Sequence, residues 1–433
     1  MNKGKKLWET SKKIIPNGNL LLSKHPDLYL PNKWPTYFSK ANKIFVWDLD
    51  NVKYTDFIFS VGTNTLGYCN KKIDNAVIAN IRNSNMATFN CPEESKLATE
   101  MLKIHKWAGM VKYARTGAEA NAIAIRIARC SVNKKNIAIC GYHGWHDWYM
   151  AANIGKNDNL SEHLLKGIGY KGIPNYLKGS VHPFNYNDLN SFKKLIKYRN
   201  IGIVIMEVAR SVSINVKFLR EIRNLCNKNN IILIFDECTS GFREYFGGLH
   251  LKYNIIPDLA MFGKALGNGY AINTIVGKKN IMIKSEQSFI SSTFWTERVG
   301  YTAALETLKE MKKNKSWEKI SKMGRFIKKK WAEIAKKNSI KIKIQGLDAI
   351  PSFIFLENHL IYKTFLTQEM LKKKYLATNF IFISTEHKKE FVLKYLKNID
   401  YIFKKISNSI NANINPKDLI DTETSASSFK RLN

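Results

Sequence analysis

The sequence predicts an α/β protein, with a mostly parallel sheet between helices and a smaller α+β domain built from the N- and C-terminal segments. Three observations carry this prediction. Between about residues 61 and 310, short β-rich apolar runs alternate with helical patterns, which is how a parallel sheet covered on both faces reads. The flanking segments, 1–60 and 311–433, mix strand-like runs with helices. At 433 residues the chain is long enough for one large core and a second, smaller one.

Residues 7–15 (LWETSKKII) read as a short amphipathic helix ended by Pro16 and Gly18. Residues 44–58 alternate apolar and polar positions on either side of Asp50-Asn51, the pattern of a hairpin made of IFVWDL and VKYTDF. In the central region NIAIC (136–140), IGIVIM (201–206), IILIF (231–235), LAMF (259–262) and INTIVG (272–277) are apolar runs bounded by turn residues. GAEANAIAIRIAR (117–129) and VKFLREIRNLCNK (216–228) have helical spacing. Periodicity does not order the strands. Beyond residue 311 the chain turns Lys-rich and helical, with strand-like SFIFLE (352–357) and IFIS (381–384), and from 416 it becomes a polar, extended tail.

Composition narrows the class of function. With 45% hydrophobic and 24% charged residues the chain is ordinary for a globular protein, which excludes wholesale disorder. The net charge of +34 is not ordinary and would suit a polyanion partner. The lysines are scattered (Lys3, Lys71, Lys134, Lys193, Lys278, Lys312, Lys372) and form no single block interleaved with aromatics. The charge therefore reads as compositional, and no nucleic-acid partner is expected. No apolar run reaches ~18 residues, so no membrane span is expected. The six cysteines include no C-x-x-C pair, which fits a cytoplasmic protein.

Four segments carry chemistry. IILIF runs straight into Asp236 and Glu237, at the carboxyl end of a buried strand, where ligands of open α/β sheets sit. Taken alone, Asp236 fits a helix cap or a turn better than a ligand site. LAMF is followed at once by Gly263-Lys264, with Gly267 and Gly269 permitting a tight loop behind the lysine. A lysine at a Gly-flanked strand end can serve as an amine nucleophile. Asp258 and Ala265 break the G-x-x-x-x-G-K-S/T pattern, so this is not a nucleotide phosphate loop. Thr116-Gly117-Ala118 opens a strongly periodic helix, whose free amides suit a phosphate and whose Thr116…Glu119 spacing equally suits a capping box. Tyr142, His143, Trp145, His146 and Trp148 lie on a Gly-punctuated loop after a strand, where aromatics either pack a core or stack on a flat ring. The two histidines have no partners elsewhere at metal-site spacing. A ring that stacks, carries a phosphate and needs both an amine and a carboxylate is pyridoxal 5′-phosphate.

The ordered series IPNG, VWDLD, YARTGAEANAIAIRIAR, CGYHGWHD, IFDECTSGFR and PDLAMFGKALGNG resembles the class III aminotransferases, a branch of the fold-type I pyridoxal-phosphate enzymes. Within that class it looks closest to the glutamate-1-semialdehyde 2,1-aminomutase branch, over about residues 7–310 and weakly beyond. The resemblance implies that Lys264 is the Schiff-base lysine and that Asp236 pairs with the pyridine nitrogen. It implies that Thr116, Gly117 and Ala118 bind the phosphate and that Tyr142 stacks on the ring, with His143 and Gly144 beside it. Glu207 matches a glutamate near the active site. Thr293 matches a threonine that reaches the phosphate of a partner subunit, so a homodimer with shared active sites is implied. Cys238, where the family usually has Val, and Thr239 complete the implied cofactor-binding set. The implied reaction moves an amino group between an amine donor and a carbonyl acceptor. Return of the amine to the molecule that gave it would make the outcome an isomerisation, that of an authentic aminomutase. True aminomutases carry an arginine in the N-terminal segment that grips the substrate carboxylate; here the nearest residue is Lys24, which lacks the bidentate fork.

Overall fold

Asp50-Asn51 does turn the chain back on itself. In the computed structural model, which describes residues 2–156, 159–163, 168–209 and 213–427, three strands β1 (Phe38–Asn42), β2 (Phe45–Asp48) and β3 (Lys53–Asp56) form an antiparallel meander. Asp48 Oδ1 accepts the amides of Asp50 and Val52 at 2.9 Å each, and Asn51 takes the left-handed conformation (φ 62°) that asparagine tolerates best among side-chain-bearing residues. β1 escaped the sequence reading because its residues, FSKAN, are largely exposed and carry no apolar face. The first helix spans Lys3–Ile14 and so starts earlier than its apolar residues indicate; the Asn2 side chain caps it by accepting from the Lys5 amide.

The chain divides into two units, one from Met1–Asn70 and Glu318–Asn433, the other from Lys71–Arg210 and Ile214–Trp317. The divisions fall a little later than the boundaries at 60 and 310 drawn from the alternation of strand-like and helical patterns.

The second unit holds the large sheet. Its strands are β4 (Met110–Ala114), β5 (Asn136–Cys140), β6 (Val181–Pro183), β7 (Ile201–Glu207), β8 (Ile232–Asp236), β9 (Leu259–Phe262) and β10 (Asn273–Gly277), in the order β4-β10-β9-β8-β7-β5-β6. The run from β9 to β6 is parallel, and β10 is antiparallel to both its neighbours. Every residue of β7, β8, β9 and β10 is buried, as expected for central strands covered on both faces, and this is why they read as continuous apolar runs. The Gly117–Ser131 helix, an expected element, packs on this sheet through Ala120, Ile123, Ala124, Ile127 and Ala128. The Val216–Lys228 helix, also expected, is capped by Asn215, whose side chain accepts from the Phe218 amide at 3.0 Å. The longer Arg298–Asn314 helix closes the unit.

In the first unit, β11 (Ile342–Gln345) pairs antiparallel with β12 (Ser352–Phe355), and β13 (Tyr375–Leu376) adds in parallel to β3. Trp331 of the Ser316–Lys337 helix sits edge-on to Phe353 with centroids 4.8 Å apart, and Phe353, Phe355 and Phe403 complete an aromatic core. IFIS (381–384) is not a strand. Its amides alternate between neighbours on two sides: Ile381 and Ile383 donate to the Pro351 and Ala349 carbonyls, and Phe382 to Phe57, so no single ladder forms. The tail contains a short 3₁₀ turn, Pro416–Leu419, and then docks through Ser425 on Thr364 and Ala426 on Asp27; residues 428–433 of the expected extended tail lie outside the described residues. Among the described residues no helix is long and apolar enough to cross a membrane. The positive surplus is shared evenly by the two units.

Candidate active site

The carboxyl ends of β5, β7, β8 and β9 bring the expected residues to one edge of the large sheet. Glu207 ends β7 and Asp236 ends β8, and the two are register partners. Asp236 is buried. Its Oδ2 accepts from Asn121 Nδ2 at 2.9 Å and lies 3.0 Å from His143 Nδ1; its Oδ1 accepts the Cys238 amide at 3.0 Å. Burial opposes the charge, but the His143 ring and the Cys238 and Asn121 donors outweigh it and hold the carboxyl at about 2. An ionised carboxylate only accepts, so His143 Nδ1 carries the proton; Nε2 of the same buried ring has no hydrogen-bond partner among the described residues.

Lys264 follows β9 and opens the 3₁₀ turn Lys264–Gly267 with φ 43°, a left-handed conformation that costs a side-chain-bearing residue and concentrates at functional sites. The sequence placed the loop's conformational freedom at Gly267 and Gly269; the left-handed residues are Lys264, Asn268 and Gly269. Lys264 Nζ donates to Thr239 Oγ1 at 3.1 Å. The Cys238 thiol is pushed well above its ordinary range, chiefly by burial and then by Asp236, with Lys264 pulling the other way. The acid and the amine thus bond to consecutive residues, Asp236 Oδ1 to the Cys238 amide and Lys264 Nζ to the Thr239 hydroxyl.

The Thr116 hydroxyl serves its helix. It accepts from the Glu119 amide at 3.3 Å and donates to Glu119 Oε2 at 3.0 Å, and the same oxygen takes the Thr116 and Arg115 amides. This is the capping box. The amides of Gly117 and Ala118, like those at any helix start, have no partner within the helix. Gly144 (φ 102°) lets the aromatic loop close on this end: a Cβ there would lie 2.6 Å from that of Ala118. Gly141 (φ 115°) likewise lets Glu207 lie under the loop, where its Oε2 accepts the Tyr142 amide at 3.1 Å. The Tyr142 ring stands edge-on to Tyr149. Thr293 is exposed, on a turn held by Arg115, whose guanidinium donates to the carbonyls of Phe294, Trp295 and Glu297 and pairs with the Glu297 carboxylate.

Two contributors, Asn121 and Asn273, went unread in the sequence, and Glu237 was read only as a strand-end acid. Asn121 lies in an apolar helix stripe, and Asn273 interrupts the apolar run INTIVG; a polar residue inside such a pattern was the available signal. Glu237 is fully buried and accepts from Ser240 Oγ and the Leu249 amide on one oxygen, and from the His250 amide and Nδ1 on the other, at 2.6–3.0 Å. These bonds outweigh burial and keep it ionised.

The donor set fits pyridoxal phosphate. It supplies an amine at a strained strand end, a buried ionised carboxylate, a helix start with unpaired amides and an adjoining aromatic loop. The description "Aminotransferase class-III" matches residues 31–370. The chain is 30% identical over 374 residues to the 3-aminobutyryl-CoA aminotransferase of Cloacimonas acidaminovorans, covering 84% of this chain and 86% of that protein. It is also 30% identical over 435 residues to the glutamate-1-semialdehyde 2,1-aminomutase of Wigglesworthia glossinidia brevipalpis, covering 94% and 98%. Among solved structures, the pyridoxal-phosphate internal aldimine form of the FumI protein of Sphingopyxis sp. MTA144 superposes with a TM-score of 0.86 at 23% identity, over 96% of this chain and all of that one. An omega-transaminase from Sphaerobacter thermophilus superposes at 0.83 and 18%, over 94% and 98%. The chain belongs to the class III aminotransferases, pyridoxal-phosphate-dependent enzymes of fold type I.

Proposed function

We propose that Lys264 carries the cofactor and Asp236 sustains it, in an enzyme that moves an amino group from a small-molecule amine donor to a carbonyl acceptor. The observation that carries the reading is that the two groups meet on neighbouring residues: Asp236 Oδ1 accepts the Cys238 amide at 3.0 Å and Lys264 Nζ donates to Thr239 Oγ1 at 3.1 Å. Pyridoxal phosphate, when bound, supplies a carbonyl that takes up an amine and a ring that draws electrons from the neighbouring carbon. The protein residues do the rest. Asp236, ionised at neutral pH, can keep a proton on a ring nitrogen brought to it. His143 and Asn121 orient that carboxylate. Gly117 and Ala118 offer amides to a phosphate, and Thr116 serves it by holding the helix start in place. Tyr142 and His143 line the aromatic side, Glu207 fixes the backbone of that loop, and Cys238 and Thr239 back the site. Lys264 Nζ would hold the cofactor's carbonyl and, when free, would be the base that takes a proton from the substrate carbon, with Thr239 Oγ1 keeping it placed.

The reading extends to a cytoplasmic homodimer in which Thr293 serves the neighbouring site. Its support is the exposure of four large aromatic side chains, Phe89, Trp145, Phe289 and Phe294, 66–88% accessible, in the same unit as the Thr293 turn. A second reading, intramolecular transfer as in an aminomutase, is favoured by the full-length similarity to the Wigglesworthia protein and opposed by Lys24. Turnover of glutamate-1-semialdehyde without an external amine donor would establish it. The assignment of Lys264 is tested by reducing the holoenzyme with borohydride and mapping the modified peptide. Modification of any other lysine overturns it.

A further inference from the structure

The side chain of Asn273 stands where three of the segments above converge. It is the first residue of β10, faces Ala114 of β4 in register, and is only 6% exposed. Its Nδ2 donates to the Arg115 carbonyl at 3.0 Å, immediately before the Thr116 helix start. Its Oδ1 lies 3.4 Å from Cys238 Sγ, two residues beyond Asp236. A Cβ added to Gly263, the residue before Lys264, would lie 2.0 Å from that Oδ1 and 2.8 Å from Cγ. A Cβ on Gly117 would also touch Oδ1, at 3.8 Å.

The chemistry of an amide makes this placement directional. Only the NH₂ end can face the Arg115 carbonyl, so the oxygen must face Gly263 and Cys238. A buried amide within an apolar strand is costly unless it is bonded. The left-handed backbone of Lys264 likewise persists only where its surroundings over-determine it. Gly263 is in extended conformation (φ −155°), which any residue adopts, so its lack of a side chain answers to Asn273 and not to backbone angles.

We propose that Asn273 is a positioning residue: by bridging the helix start at 115–117 to the turn at 263–264, it sets how Lys264 is presented to the cofactor and how tightly the cofactor is held. The inference rests on Lys264 being the carrier, and the borohydride map of the unaltered holoenzyme tests that first. Asn273→Ala and Asn273→Ser are then compared with it as full chains. The measurements are the affinity of the apoprotein for pyridoxal phosphate, the pH midpoint of the holoenzyme's visible absorbance, and the melting temperature of the apoprotein. The Ala variant is expected to bind the cofactor about tenfold more weakly and to shift the pH midpoint, with Ser, which keeps a hydroxyl donor, falling between. Gly263→Ala is expected to weaken binding alone and to add little in the Asn273→Ala background, where the colliding oxygen is gone. Affinity within about twofold of the original with an unmoved pH midpoint overturns the proposal. So does a loss of affinity in Asn273→Ala that Ser does not lessen and that comes with a collapse of apoprotein melting, since that describes a purely structural residue. If the unaltered enzyme is modified at another lysine, it is the carrier assignment that fails.

Discussion

Replacing Asp236 by asparagine separates the charge of this residue from its shape. A carboxyl held at about 2 against an ordinary 3.8 prefers its charged form by roughly 2.5 kcal/mol. Asparagine also brings a donor mismatch. Its NH₂ must face either the Cys238 amide or Asn121 Nδ2, both donors, which adds about 1–3 kcal/mol. The apoprotein should therefore lose roughly 3.5–5.5 kcal/mol near pH 7, read as a lower urea midpoint. The sign with pH follows from a depressed folded-state pKa: the stabilisation is fully present above 3.8 and is lost as pH falls through about 2. Between pH 5 and pH 3 the gap between the original and Asp236→Asn should narrow by about 1 kcal/mol. The holoenzyme should lose about 10²-fold or more in kcat, because the ring loses its charged partner. A gap that is absent at pH 7, or that stays constant down to pH 3, would refute the claim that hydrogen bonds to a buried charge govern this residue.

Other outcomes follow from the same geometry. Lys264→Arg should abolish borohydride incorporation at 264 and lower turnover by at least about 10³-fold, measured as product formation at saturating cofactor. Thr116→Ala should lower the apoprotein melting temperature by an amount equivalent to about 1 kcal/mol, as loss of a helix cap does, with Thr116→Ser close to the original. Under native alkylation read by mass spectrometry, exposed Cys69 should be labelled and Cys238 spared, because burial and Asp236 hold its thiol well above its ordinary range. Glu237→Gln should destabilise the fold by about 2–4 kcal/mol in urea titration, since it meets four donors out of contact with water.

The central strands were legible because burial on both faces leaves one unbroken apolar signature, and LAMF matched β9 residue for residue. The helix over 216–228 was equally plain, with an asparagine cap and strong periodicity. Exposed or short strands were not. FSKAN carries no apolar face, and the two-residue β13 exists only because β3 offers an open edge. IFIS shows the reverse error: an apolar, β-branched run whose tertiary surroundings offer acceptors on two sides and no ladder on either. In the site, residues announced by strand ends and glycines (Asp236, Lys264, Gly117) could be read along the chain. Asn121, Asn273 and Arg115 could not, because their partners are distant in sequence: 115 residues from Asn121 to Asp236, 158 from Asn273 to the Arg115 carbonyl and 179 from Arg115 to the Phe294 carbonyl. Thr116 illustrates a third case, in which one spacing supported two roles and the hydroxyl bonds to its own helix.

Neighbouring acids 236 and 237 point to opposite faces of their strand, as alternation demands. Sliding β8 by a single position would exchange them, driving the fourfold-bonded glutamate toward the ligand side and stranding His250, Leu249 and Ser240 without an acceptor. The fourfold-bonded carboxylate of Glu237 thus acts as a ratchet pawl for that of Asp236, and errors of alignment at this strand carry their own penalty.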